Sequence, residues 1–200
     1  LHNLSRLVTQ VFDFNELVDT VTKLTLEVCE AKSSWLEIIG IPQANAASRG
    51  LLGGIQTDHL GETVSLKNIS REDTEAIMTA DGESIRKLVL NTRRPIVIDS
   101  VRQDKRTQHL AAMNNKFSSM VIVPLLSHED VLGILYATKD MEYGFDKEDV
   151  ELISAFADQA TIAIENSRLI EKSLERERLM REMMLAQDMQ RKLLPQSLPG

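Results

Sequence analysis

The hydrophobic pattern is most regular in the last quarter of the chain. From Lys147 to Leu194 there is no glycine or proline for roughly 48 residues, which at about 1.5 Å of rise per residue predicts one helix near 70 Å long. Ordinary globular helices have three or four turns, so this one extends past a single core. Its first part, Val150–Ile164, is dense in apolar residues (Leu152, Ile153, Phe156, Ile162, Ile164) and suits packing on a domain. From Arg168 to Leu194 the helix is charged. It still keeps Leu179, Met183, Ala186, Gln190 and Leu193 at spacings of four, three, four and three, with Leu194 beside the last. That is the a/d rhythm of a coiled coil, and it favours pairing with a second copy of the chain. The alternative is a solvated helical tail ordered only by its neighbours. Gln190 is the polar member of the seam, and an amide there lowers stability while preserving an alternative packing.

Upstream, the periodicity switches between helix and strand. Leu1–Thr9 has the face of an incoming helix, with Leu1, Leu4, Leu7 and Val8 aligned. Asn15 is placed to cap a second helix running to about Ala31, whose apolar positions are Leu17, Val18, Val21, Leu24, Leu26 and Val28. Ser34–Ile39 alternates as a strand, with Trp35, Glu37 and Ile39 on one side and Leu36 and Ile38 on the other. Pro42–Ser48 reads as loop. Leu51–Gln56 and Thr63–Ile69 read as strands around the turn Thr57–Gly61, with a bulge at Gly53-Gly54. Ser70 and Asp73 open a short helix to about Thr79, Asp81-Gly82 turns the chain, and Glu83–Asn91 is helical with Ile85, Leu88 and Val89 inward. Arg93-Arg94-Pro95 ends it before the strand Ile96–Asp99. A polar loop, Ser100–Arg106, leads into a short helix through Asn114. Ser119–Leu125 and Val131–Thr138 are unbroken apolar runs joined by Ser127-His128-Glu129-Asp130, the mark of central strands. Asp146 and Asp149 cap the long helix. This order predicts an α+β fold, an antiparallel sheet flanked by helices.

Composition narrows the chemistry. Two hundred residues, 42% of them hydrophobic, hold one domain and an extension. A net charge of −7 argues against a nucleic-acid surface, and no apolar run is long enough to span a bilayer. The single cysteine, Cys29, fits a reducing cytoplasm. It reads as a buried small hydrophobe, because no basic group stands beside it. The four histidines (His2, His59, His109, His128) show no metal-ligand spacing, and no serine lies in a Gly-x-Ser-x-Gly turn. No catalytic residue and no metal site is expected. Starting at Leu1 and stopping at Leu-Pro-Gly, the chain reads as a piece of a longer protein.

Three stretches together resemble a GAF domain, over about Phe14 to Ser167. They are Ser84–Asp99, the pair Met120–Leu125 with Val131–Tyr136, and Phe145–Asn166. The resemblance implies a pocket between the sheet and the Ser100–Phe117 connection. The candidate ligand-binding residues there are Asp99, Ser100, Arg102, Arg106, Phe117, Ser118 and Ser119. Arg106 with two hydroxyls suits an anion or a nucleotide edge. The same residues also suit a solvated loop and helix cap, and the ligand is not identified. Asn115-Lys116-Phe117 is similar to the motif of cyclic-nucleotide-binding GAF domains, but Met120-Val121 stand where the motif's acidic pair would lie.

The tail, Leu185–Pro199, resembles the segment just upstream of the catalytic domain in bacterial PPM-type, SpoIIE-like serine phosphatases. The resemblance implies four parts: 1–13 as incoming helix, 14–167 as GAF sensor, 168–194 as signalling coiled coil and 195–200 as the start of the phosphatase domain. The seam of the exit helix predicts a homodimer and the cysteine usage a cytoplasmic protein, with neither nucleic acid nor membrane as a partner. The resemblance adds the phosphatase in cis and an upstream sensor domain or regulatory protein as a further partner. It also implies manganese or magnesium in the catalytic domain and an anti-sigma antagonist as substrate. The rival readings are a ligand-free dimerisation module and a GAF sensor feeding a nucleotide cyclase.

Overall fold

The computed structural model describes residues 16–39, 62–79, 83–107, 110, 116–128 and 130–193. Several expected features lie outside these residues: the incoming helix Leu1–Thr9, the Asn15 cap, the Pro42–Ser48 loop, the strand Leu51–Gln56 with its glycine pair, the turns Thr57–Gly61 and Asp81-Gly82, the helix through Asn114, and 194–200. Helix α1 covers residues 16–28 and is followed by strands β1 (Ser33–Ile38) and β2 (Glu62–Lys67). Helices α2 (Arg71–Thr79) and α3 (Glu83–Thr92) come next, then strands β3 (Ile96–Ile98), β4 (Ser119–Ser127) and β5 (Asp130–Lys139), and finally helix α4 (Lys147–Leu193). The strands form one antiparallel sheet in the order β2-β1-β5-β4-β3. This is the α+β arrangement that the hydrophobic pattern predicts.

Each end of an element has a local cause. α1 stops because Glu30 is left-handed (φ 50°) and the Ala31 N–H reaches back to the Leu26 carbonyl at 2.9 Å, a Schellman closure. β2 ends at Lys67, two residues short of Ile69, where Asn68 also turns left-handed (φ 56°). The Ser70 hydroxyl accepts the Asp73 N–H at 3.1 Å, and the Asp146 carboxylate accepts the Asp149 N–H at 2.8 Å. Both predicted caps therefore form.

The sheet divides two apolar layers. On one face Leu36, Ile38, Val121, Val123, Leu125, Leu135 and Ala137 pack against Val18 and Val21 of α1 and against Ile153, Ala157, Ala160 and Ile164 of α4. The alanines let α4 lie close to the strands. On the other face Trp35, Ile96, Ile98, Met120, Ile122, Ile134 and Tyr136 meet Ile77, Ile85 and Val89 of α2 and α3, with Val101, Leu110 and Phe117 closing the layer. Two register shifts adjust this pattern. Val64 is the extra residue of β2 opposite Leu36/Glu37, which lets Ser65 reach the Thr22 hydroxyl at 2.7 Å. Leu132 is extra in β5 and turns into the α4 layer. Ile162, expected to pack inward, instead faces water from the outer side of α4.

Candidate ligand-binding site

The segment after β3 is held as a compact turn. The Val101 N–H donates to the Ser118 carbonyl at 2.8 Å, and the Ser118 N–H donates to the Lys139 carbonyl at 2.7 Å. The Thr107 hydroxyl donates to the Val101 carbonyl at 2.9 Å. Asp99 is exposed, and its carbonyl accepts the Tyr143 N–H at 2.7 Å. Ser100 is buried and its hydroxyl donates to Glu142 at 2.7 Å. Arg102 is exposed, Phe117 and Ser119 are buried, and Ser118 is half-buried. The structure thus gathers Asp99, Ser100, Ser118 and Ser119 around the chain that leads into α4.

Arg106 is placed differently from a free anion clamp. Its Nε and Nη2 contact the Asp104 carboxylate at 2.5–3.1 Å, within the same turn. An incoming anion would have to compete with that carboxylate. The Arg106 hydrogen bonds hold Asp104 below its usual range, while Asp104 pushes the guanidinium up. A carboxylate with a depressed folded-state pKa adds stability above its unfolded pKa, and that stability is lost as pH falls through the folded value. Asp104→Asn should therefore cost about 0.2–1 kcal/mol at neutral pH and nothing well below about pH 3.9, as urea melts across that range would show.

The same face of the sheet carries a polar cluster that the reading of the loop missed. Trp35, Glu37 and Tyr136 project from β1 and β5, with Trp35 and Tyr136 paired across the strands and stacked at 4.7 Å between ring centroids. The Glu37 side chain is wholly buried, accepts the Tyr136 hydroxyl at 3.0 Å and meets Arg86 Nη2 from α3 at 2.7 Å. Burial, then the Glu37 charge, keeps the Tyr136 phenol well above its ordinary pKa, so it acts as a donor. Among the described residues, Trp35 Nε1, Arg86 Nε and Ser119 Oγ are buried without a hydrogen-bond partner. A signal existed in the sequence: alternation puts an acid on the same side of β1 as Trp35. Nothing in the sequence said that Arg86 would answer it. Asp73 of α2 is likewise bound by Lys116 at 2.7 Å, so both helices over this face are tied down by ion pairs.

A family model described as GAF domain matches residues 13–165. The chain belongs to the GAF domain family. GAF domains are regulatory sensor modules of signalling proteins. The fold is similar to that of the GAF domain/HD domain protein from Geobacter sulfurreducens, at a TM-score of 0.58 and 10% identity, covering 80% of this chain and 96% of that one. It is also similar to the GAF domain of an Acinetobacter phosphoenolpyruvate-protein phosphotransferase, at a TM-score of 0.57 and 11% identity over 84% and 95% of the two chains. A domain of a putative two-component sensor histidine kinase protein from Sinorhizobium meliloti 1021 aligns at a TM-score of 0.54 and 10% identity over 76% and 91%. At such identities the likeness to these structures concerns the fold. No curated protein matches the chain.

Cys29 belongs to the interior of the GAF domain. Burial first, and the neighbouring Asp149 charge second, push its thiol up to about 11, so it stays protonated and donates to Asp149. Among the described residues no helix is long and apolar enough to cross a membrane.

Proposed function

We propose that this GAF domain is the sensor and dimerisation region of a cytoplasmic bacterial PPM-type serine/threonine phosphatase acting on an anti-sigma antagonist. The observation that carries the reading is the free end of α4. All described side chains of residues 172–191 are exposed, and within them Leu179 and Met183 keep 55% and 64% of their surface in water. Burying each such side chain is worth roughly 1.5–3 kcal/mol, which favours a paired rod over a lone one. Ala186 and Gln190 continue the same seam and are exposed too, while the Leu193 side chain and Leu194 lie outside the described residues. The Leu-Leu-Pro run that follows supports a phosphatase as the output. Manganese or magnesium would belong to that catalytic domain. Binding of a small molecule or a regulatory protein at the GAF domain shifts the packing of two exit helices and so the seating of the catalytic domain.

A second reading is favoured by the loop itself. Arg106 is already neutralised by Asp104, and Ser100 is bonded to Glu142, an arrangement that suits a constitutive, ligand-free dimerisation module. Arg106→Ala in the parent protein separates the two, since it abolishes regulation in the first and spares it in the second. The rod is tested by ending the chain at Arg168. The expected result is a folded monomer by sedimentation at micromolar concentration, against a dimer for the full chain. A truncated form that still dimerises would move the interface onto the domain, where Leu24, Val28 and Ile162 are exposed.

A further inference from the structure

Between the end of β5 and the first turn of α4 the chain passes through Glu142, Tyr143 and Gly144. Tyr143 is left-handed, with φ at 54°, a conformation that costs a bulky non-glycine residue energy. Its ring does not hold it there, because the side chain is 69% exposed. The hold comes from the loop after β3. The Asp99 carbonyl accepts the Tyr143 N–H at 2.7 Å, and the Ser100 hydroxyl donates to the Glu142 carboxylate at 2.7 Å. Gly144 is packed against the same group of residues, where a Cβ would lie 2.7 Å from Ser119 Oγ and 3.0 Å from Lys139 Cβ.

On the other side of Tyr143 the root of α4 is firmly seated. Lys139 Nζ meets Asp149 at 2.8 Å and lies 4.8 Å from the centre of the Phe145 ring, with both ends of the ion pair largely buried. Asp149 also receives the Cys29 thiol from the end of α1. The strained residue therefore stands between two fixed bodies, the candidate loop and the root of the exit helix.

We infer that Asp99, Ser100 and Tyr143 form a two-position hinge through which the loop after β3 sets the direction of α4. With the loop seated, Tyr143 is held left-handed and α4 leaves the domain as described. A molecule or partner that draws residues 99–101 away frees the Tyr143 N–H and the Glu142 side chain. Tyr143 then relaxes to negative φ, and the chain enters the Asp146 cap from a new angle. This deepens the sensor reading above and rests on it for the identity of the input. The hinge itself is a property of one chain.

The test is amide hydrogen exchange on the full 200-residue chain. Ser100→Ala removes one hydrogen bond, and about five-fold faster exchange is expected at Tyr143, Asp149 and Val150. The ladder amides of β4 and β5 should be unchanged. Tyr143→Gly removes the strain without touching the loop, so the same three amides, including position 143 itself, should exchange more slowly than in the parent chain. Faster exchange in Ser100→Ala confined to residues 99–103 would overturn the hinge. If Ser100→Ala loosens the whole fold, Tyr143→Gly decides alone: slowing restricted to the root supports the hinge, and no change there overturns it. Failure of the dimer reading would appear in sedimentation and leave these exchange rates untouched, so the two failures are distinguishable.

Discussion

Arg86→Met is expected to lower folding stability by about 3–5 kcal/mol, the usual consequence of removing one partner of a buried ion pair. Glu37 has no exposed side-chain surface, and the Arg86 side chain is 11% exposed. Without Arg86, the carboxylate keeps the Tyr136 hydroxyl and loses the Arg86 guanidinium, next to the apolar side chains of Ile77, Ile85, Val89 and Ile134. Methionine retains much of the arginine stem's packing, so the loss reports on charge more than on volume. Urea unfolding followed by fluorescence gives the number directly, because Trp35 is the chain's single tryptophan and lies in this layer. The double variant Glu37→Leu with Arg86→Met should recover most of the stability, as apolar replacements of buried pairs commonly do. A single variant within about 0.5 kcal/mol of the parent would mean that α3 is not pinned through this pair.

Gly133→Ala is the second large effect. Gly133 sits in β5 opposite Ile38 on one side and Leu125 on the other. A Cβ there would lie 2.4 Å from the Glu37 carbonyl oxygen and 3.4 Å from Ile38 Cα. Those obstacles are backbone, so relief requires β1 to move away from β5 and to carry Glu37 with it. Overpacking of this kind costs about 1–3 kcal/mol, and thermal melting of the alanine variant should show a loss in that range. An unchanged melting temperature would show that the β1–β5 ladder yields more easily than its close fit indicates.

Much of the fold was written in local periodicity. The unbroken runs Ser119–Leu125 and Val131–Thr138 became the long central strands β4 and β5, because only residues buried on both faces read that way. The gap-free helix, with Asp146 as its cap, ran from Lys147 to Leu193. What escaped depends on long-range pairing. Glu37 and Arg86 are far apart in sequence, and only the tertiary fold lays α3 over β1. The left-handed backbone at Tyr143 carries no composition signal, since asparagine or glycine would be the expected residue there. Arg106 was visible as a cation, but its capture by Asp104 two residues earlier needed the turn to be seen. Ile162 shows the limit of counting apolar residues along a helix: it counted towards the packed part of α4 and lies on its outer side.

The exit helix is also a lever. About 23 residues of it extend past Ile170, the last of its described side chains that is half-buried, a reach of roughly 35 Å at 1.5 Å per residue. A bend of about 10° where the helix leaves the domain near Ile170 displaces the far end sideways by roughly 6 Å. A small angular change thus arrives at position 193 as a sideways displacement more than half the roughly 8–10 Å spacing of packed helices, enough to change whether two exit helices meet.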